Sequence, residues 1–375
     1  MALPVTDTNS ADGEDGKGVT EAARTRPSRS AFATFVRKAS VLLAWLYPPA
    51  LLGTIASFRI VGERWWGTTV ALYLPRVGFA LPLPFLLLAL WLTGARRGAA
   101  ILLATAVPVL LVLMGFVFPW PTRPVAGAPT IRVMSYNVNS ELGEIAPLIQ
   151  EIDRFSPDVL LLVEHAWDAI EPPLRARYST VRAVGQFVVA TRFPVKSSFD
   201  PDKIHYSGRL RSPRWIEEVI DTPLGPIAFF VVHPSSPRQG FYALRGKGLR
   251  REILSGEGFS EDSEDAVLGN SGLRAAQVAD FAAAARQETV PVVIAGDTNL
   301  PNLSWVLHRD LSEFQDGFAK AGWGFGYTFP TGHHGPWMRI DRIMAGSELR
   351  FVHFEVGHST ASDHESVVAD LQHAP

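Results

Sequence analysis

The sequence contains no cysteine, which excludes a disulfide framework, a thiolate metal site and a cysteine nucleophile. The absence fits an oxidising compartment without requiring one. Charge is missing from three long stretches. Residues 39–58 carry none over 20 positions, residues 67–94 carry only Arg76, and residues 98–122 carry none over 25. A helix needs about 20 apolar residues to cross a hydrocarbon core. Three such runs in succession would demand a very large core in a soluble protein. The pattern therefore predicts three transmembrane helices, at about residues 39–58, 70–94 and 98–120. Pro48, Pro49, Pro82, Pro84 and Pro108 are tolerable there if neighbouring helices satisfy the freed carbonyls. Trp65, Trp66, Tyr73 and Trp120 fall near span ends, as interfacial aromatics do. Arg76 is close enough to an end to snorkel to the interface.

Before these runs, residues 1–38 form a polar segment without apolar period, expected to be a disordered cytoplasmic tail. Its length and polarity do not suit the start of a cleaved signal peptide. Orientation follows from the basic residues. With the N-terminus inside, the inner segments hold Arg24, Arg26, Arg29, Arg37, Lys38, Arg96 and Arg97, against Arg59, Arg64 and Arg123 outside. The positive-inside rule then places a multi-pass protein in the cell membrane with its C-terminal domain outside. Residues 121–130 read as a Pro/Gly/Ala linker that reaches only ~30–35 Å when extended, which would hold the domain against the bilayer. The net charge of −2 hides a split: 12 Lys/Arg against 6 Asp/Glu up to Thr130, and 23 against 31 beyond it. An acidic domain gains little from the counterion release that drives non-specific nucleic-acid binding.

From Ile131 onward the pattern becomes one of short strands and helices. IRVMSYNV, DVLLLVEH, IAFFVVHP and PVVIAGDTN each read as a buried strand ending in polar residues. EIAPLIQEIDRF and LRAAQVADFAAAARQ read as amphipathic helices. Residues 240–272, rich in glycine and mixed charge, read as a long loop. That loop combines Phe241, Tyr242, Leu244 and Leu249 with Arg245, Lys247, Arg250 and Arg251, a mixture that suits a segment resting at a membrane interface.

The strand ends carry the candidate chemistry. Asn137 closes the first strand, Glu164 the second and His233 the third, while Asp297 and Asn299 close the fourth. Asp341 sits among apolar residues, where a bare carboxylate would be costly. Asp363 and His364 form a pair just before a last strand. Carboxylates and amides are the oxygen ligands that Mg²⁺ or Mn²⁺ takes, and histidine carries protons near neutral pH. Any one of these residues alone is more readily a turn, a cap or a satisfied core group. Their order and context together carry the argument.

Those pieces (SYNVNS, DVLLLVEH, ATRFPV, FFVVHP, AGDTNLP, RIDRI and SDHESV) resemble, in order, the endonuclease/exonuclease/phosphatase superfamily of DNase I-like proteins, from Ile131 to Leu371. The resemblance implies an α+β fold, a four-layer αββα sandwich, preceded here by the three transmembrane helices. It implies a metal bound chiefly by Glu164, with Asn137 and Asp363 close by. Asp297 would orient or deprotonate the attacking water, with Asn299 beside it. His364, held by Asp341, would stabilise the transition state or act as acid and base, and His233 would contact the phosphate. Asn139 stands where some members have an acidic residue, which puts a second metal ligand there in doubt. Thr298 replaces a common aromatic. The arrangement of spans and domain also resembles membrane-anchored members linked to glycopeptide-antibiotic resistance.

The expected activity is therefore metal-dependent hydrolysis of a phosphate ester or diphosphate, with a substrate borne by the membrane lipid bilayer. Two other readings share these residues. An extracytoplasmic nuclease is supported by the basic cluster Arg238, Arg245, Lys247, Arg250 and Arg251, and opposed by the acidic domain. A catalytically inactive scaffold is opposed by the completeness of the polar set.

Overall fold

Along β1 (Ile131–Asn137), Ile131 and Val133 enter one hydrophobic cluster and Met134 and Tyr136 another. The same alternation runs through β2 (Val159–Val163), with Val159, Leu161 and Val163 on one side and Leu160 and Leu162 on the other. Successive strand side chains point to opposite faces, so a strand apolar on both must be covered on both. The computed structural model describes residues 29–118, 123–139, 144–165, 167–245, 261–332 and 335–375. Within these, β1 and β2 join β3 (Thr180–Val184), β4 (Phe187–Thr191), β13 (Leu349–Val356) and β14 (Val367–His373) in a six-stranded sheet ordered β13-β14-β1-β2-β4-β3. The second six-stranded sheet contains β5 (Val195–Phe199), β8 (Trp215–Thr222), β9 (Gly225–Val232), β10 (Val292–Asp297), β11 (Gln315–Asp316) and β12 (Asp341–Ala345), ordered β11-β12-β10-β9-β8-β5. A separate hairpin pairs β6 (Ile204–Tyr206) with β7 (Arg209–Arg211).

The two sheets share one core, in which Val133, Leu161, Phe229, Val231, Val293 and Ile343 meet. On the outer face of the first sheet, α6 (Ala146–Phe155) and α7 (Trp167–Arg175) bury Leu148, Ile152, Ile170 and Leu174. On the outer face of the second, α9 (Glu261–Ala285) and α10 (Trp305–Leu311) bury Val278, Phe281, Val306 and Leu311. The layers are thus helix, sheet, sheet and helix. Each sheet repeats one pattern: β1 is parallel to β2 and antiparallel to β14, while β10 is parallel to β9 and antiparallel to β12. The C-terminal ends of β1, β2, β9 and β10 and the N-terminal ends of β12 and β14 therefore share the edge at which the candidate residues fall.

The 240–272 segment differs from the expected loop. Its described parts are helical: α8 (Arg238–Arg245) packs on α9, and Gly240 lets them approach, since a Cβ there would lie 3.3 Å from Val267 Cα. Glycine at 240, 269 and 272 masked helices that tertiary packing stabilises. Lys247, Leu249, Arg250 and Arg251 lie outside the described residues.

Ahead of the sandwich stand α1 (Arg29–Ile60), α2 (Trp66–Leu72), α3 (Val77–Ala80), α4 (Pro82–Leu92) and α5 (Arg96–Pro108), the last continuing as a π turn over Val109–Leu113. Two helices, Ala31–Ile60 and Arg96–Leu113, are long and apolar enough to cross a membrane. The pair Trp66–Leu72 and Val77–Leu92 would do so only as one span bent by 89°. Pro75 explains the break, because the residue before a proline is driven out of the helical region. Residues 29–38, assigned to the tail by sequence, belong to α1, while residues 1–28 and Trp120 lie outside the described residues.

These helices are docked on the sandwich. Glu63 is 5% exposed and its carboxylate accepts from Ser304 Oγ and from the Trp305 and Val306 amides, the latter at 3.0 and 3.4 Å. A carboxylate on the first amides of α10 satisfies donors that a helix start leaves open. Tyr327 Oη donates to the Met114 carbonyl at 2.8 Å, and Leu303, Met338 and Ile340 join the cluster of the helices. Arg76 does not snorkel: it is 5% exposed, donates to the Leu72 carbonyl at 2.9 Å and lies over the Phe58 ring at 5.0 Å. Nor is the 121–130 segment a free tether, because Val125 exchanges hydrogen bonds of 3.0 and 3.3 Å with the Gln372 side chain.

Candidate active site

The AGDTN segment folds as its composition requires. Gly296 has φ 146°, and a Cβ there would sit 1.9 Å from the Val232 carbonyl oxygen, so β9 and β10 can pair at this point only with glycine. Asp297 follows at the strand end, opposite Asp341 of β12. Asp297 Oδ1 accepts from the Asn299 amide at 2.8 Å and Oδ2 from Asn137 Nδ2 at 3.2 Å. Thr298, in place of an aromatic, donates its amide and hydroxyl to the Ile340 carbonyl at 2.9 and 2.7 Å. Asn139, Glu164 and Asn299 hold left-handed φ values of 51°, 56° and 51°. Such backbone is uncommon for residues other than glycine and gathers at functional sites.

Asp341 directs both oxygens at His364 Nδ1, at 2.9 and 3.1 Å, leaving His364 Nε2 3.8 Å from Asp297 Oδ2. Burial favours neutral His364, but the facing Asp341 and Asp297 outweigh it and hold its pKa at about 9. His364 is thus an imidazolium at neutral pH. Asp297 is raised well above the usual carboxylate range, chiefly by burial and by Asp341. His233 is 1% exposed; burial first, then Arg214 and His364, depress its pKa to about 3, so it is neutral. Gln186 Oε1 faces both Arg214 at 3.4 Å and His233 Nδ1 at 2.9 Å, which assigns the imidazole proton to Nδ1. His233 Nε2 then turns a lone pair toward Glu164 Oε1 and Asp297 Oδ2, each 3.6 Å away.

Two carboxylates thus flank one imidazole lone pair; Asp297 Oδ2 also accepts from Asn137, whereas Glu164 Oε1 and the lone pair have no donor between them, which a cation would supply. The Glu164 carboxylate accepts no hydrogen bond from another described residue and stands partly open to the cleft. Glu164, with Asn137 Oδ1 and Asp363, is a hard-oxygen set that fits a magnesium-type ion. Asp297, Asp341 and His364 also bring donor atoms within 4.8 Å of one another. Asp341 is committed to His364, however, so this group is an aspartate–imidazolium pair facing a second carboxylate, not a metal cage. Asp363 Oδ2 accepts from Arg238 at 2.6 Å and its Oδ1 from Asn139 Nδ2 at 3.3 Å.

All eight sequence candidates thus gather at one sheet edge, and seven of them line one cleft: Asn137, Glu164, His233, Asp297, Asn299, Asp363 and His364. Asp341 stands behind His364. The matched stretch of this chain, residues 134–364, is that of the endonuclease/exonuclease/phosphatase family. The chain belongs to that family. Its fold is accordingly the DNase I-like α+β type, and family members are hydrolases of phosphate esters that typically use divalent metal ions. No curated protein matches the chain. Among solved structures, truncated Caenorhabditis elegans TDP2 is 17% identical, with a TM-score of 0.45 over 65% of this chain and 97% of its own. An endonuclease/exonuclease/phosphatase from Beutenbergia cavernae is 18% identical (TM-score 0.44, 65% and 72% coverage). The Bacteroides thetaiotaomicron mannosyl-6-phosphatase Bt3783 is 13% identical (TM-score 0.45, 64% and 99%).

Sequence reasoning missed several residues of this family site. Gln186, in the turn before β4, and Arg214, just before β8, approach it from elsewhere in the fold, and no local pattern marks them. Phe329 lies against His364, ring centroids 4.4 Å apart, and Arg238 covers Phe329 at 5.0 Å. Tyr73 lines the cleft instead of facing outward in an aromatic belt.

Proposed function

We propose that this protein is a membrane-anchored, metal-dependent phosphoesterase that hydrolyses a phosphate ester or diphosphate bond of a membrane lipid at the outer face of the cell membrane. The observation that carries the lipid assignment is the composition of the cleft. Its lining combines Glu164, Asp297, Asp363 and His364 with Tyr73, Phe329, Met338 and Ile340, which belong to the cluster of the N-terminal helices. A phosphate attached to an apolar chain matches that mixture. The helices support the anchoring. Among the described residues, all exposed large apolar side chains but Val125, Phe199, Leu210 and Trp323 lie between Phe32 and Phe118. Water disfavours an apolar surface of that extent, whereas a bilayer covers it. The acidic balance beyond Thr130 disfavours polyanionic nucleic acid.

Hydrolysis needs an in-line water, a proton path and charge stabilisation on the phosphoryl oxygens. Asp297, with its raised pKa, aims the water and takes its proton. Imidazolium His364 stabilises the developing charge, and Asp341 keeps its orientation. The Asn137 and Asn299 side-chain amides supply polar contacts to the phosphate, while the Nε2 lone pair of neutral His233 faces the carboxylates of Glu164 and Asp297. Glu164, Asn137 and Asp363 would hold the metal, which when bound polarises the phosphoryl group and helps the leaving oxygen.

The test uses the full-length chain in mixed micelles. Undecaprenyl diphosphate or phospholipid should be hydrolysed with a kcat/KM about 10²-fold above that for p-nitrophenyl phosphate, as surface concentration predicts. Faster cleavage of duplex DNA at physiological salt would replace this reading with the nuclease. Turnover of membrane-impermeant p-nitrophenyl phosphate by intact cells reports which side the domain faces; activity confined to lysed cells would reverse the topology.

The imidazolium predicts a basic limb. Activity that needs charged His364 is complete well below pH 9 and falls as pH passes about 9. Asp341→Asn removes the larger stabilising charge, so the limb should move down by about one unit or more. An unmoved limb in the pH–rate profile would show that another group sets it.

A further inference from the structure

Tyr73 lies between α2 and α3, where the helical region turns by 89°. Its side chain is 7% exposed and its hydroxyl donates to the main-chain carbonyl of Asn299 at 2.7 Å. The ring meets Phe241 edge-on at 5.4 Å and has the Arg274 guanidinium 5.6 Å from its centre. The Tyr73 carbonyl accepts from Trp337 Nε1 at 3.3 Å. Held on each of these sides, the hydroxyl has one direction available.

Asn299 is a residue that needs holding. In its left-handed conformation the amide reaches back to Asp297 Oδ1 at 2.8 Å, while Nδ2 donates to the Pro234 carbonyl at 3.0 Å. These bonds fix the peptide before Asn299 and the side chain. The peptide after it is held on its amide side by a long 3.4 Å bond from Leu300 N–H to Thr298 Oγ1 and on its carbonyl side by the much shorter bond from Tyr73. If that peptide rotates, the Asn299 amide that aims the Asp297 carboxylate is freed with it. The contact joins segments separated by 226 positions in sequence.

We propose that Tyr73 is a positioning residue of the catalytic cleft: through one hydroxyl the N-terminal helices fix the Asp297–Asn299 loop, and so form part of the catalytic unit. The inference rests on the assignment of Asp297 and Asn299 to phosphoester hydrolysis. It does not depend on the substrate being a lipid.

A matched control exists in Tyr327, whose hydroxyl crosses the same interface to Met114 and lines no part of the cleft. Tyr73→Phe and Tyr327→Phe each delete one interfacial hydroxyl and keep the ring. The two full-length variants are compared in detergent micelles with p-nitrophenyl phosphate and bis(p-nitrophenyl) phosphate, and by amide exchange of the peptide spanning residues 296–300. Tyr73→Phe should lower kcat about tenfold, the equivalent of one ordinary hydrogen bond, with KM changed less than about twofold. Amide exchange in 296–300 should quicken. Tyr327→Phe should show a similar small loss of melting temperature, with kcat and that exchange unchanged. Wild-type kcat and exchange in Tyr73→Phe overturn the proposal, as does a Tyr327→Phe variant that reproduces both effects. If the wild-type chain hydrolyses neither ester, the functional reading is in question, and the exchange comparison alone decides this one.

Discussion

Asp297→Asn should reduce turnover by about 10²–10⁴-fold, the range of a positioned acid–base group, in a protein that still folds. The substitution is nearly isosteric. Asparagine Oδ1 can still accept from the Asn299 amide, so the loop keeps its 2.8 Å closure. What is lost is the carboxylate that takes a proton from water. Asn137 Nδ2 would then meet an amide instead of Oδ2, a cost on the order of 1 kcal/mol, which is small against a domain stability of about 5–15 kcal/mol. His364→Ala should produce a loss of similar size, since it deletes the imidazolium. The double variant should be little worse than either single one, because groups that act as a unit are not additive. Near wild-type kcat in either single variant, with melting temperature retained, would show that the proton carriers are elsewhere.

Removal of divalent metal is the second large effect. After exhaustive chelation, hydrolysis should fall to background, and Mg²⁺ or Mn²⁺ should restore it. The prediction rests on the facing acceptors: Glu164 Oε1 and Asp297 Oδ2, each 3.6 Å from His233 Nε2. Glu164→Gln should raise the metal concentration for half-maximal activity, while a surface variant such as Glu171→Gln should leave it unchanged. Full activity in metal-free enzyme would remove the metal from the reaction and leave the buried histidines and carboxylates as the whole machinery.

Much of this site was legible because of where polar residues fall relative to apolar runs. Asn137, Glu164, His233 and Asp297 each end or follow a strand whose two faces are buried, and parallel pairing brings those ends to one edge. Asp363 and His364 precede an antiparallel strand and so arrive from the opposite direction. Contacts made across layers were not legible. Gln186 orients His233 from β4's preceding turn, and Tyr73 reaches Asn299 from the helical region; neither has a sequence neighbour that announces it. Pro75 beside Arg76 was the available sign that residues 70–94 are not one straight span. The helical nature of 238–245 and 261–272 was hidden by glycines, of which Gly240 serves close helix packing and Gly272 makes room for the Tyr206 side chain of β6.

The docking of the helices on the sandwich also bears on how the protein can be handled and how it must be made. Leu303, Met338 and Ile340 are 1%, 7% and 2% exposed because the helices lie over them. Uncovering each side chain costs about 1.5–3 kcal/mol, so stripping all three would consume a large part of a typical domain's stability of about 5–15 kcal/mol. Glu63 would leave with the helices, and the first amides of α10 would lose their cap. An excised sandwich would therefore be marginal and adhesive, with its sticky face beside the cleft. During biosynthesis the helices emerge first, and the sandwich completes its last surface only by closing onto them. In the anchored protein proposed above, insertion and folding are in this way sequential steps of a single assembly.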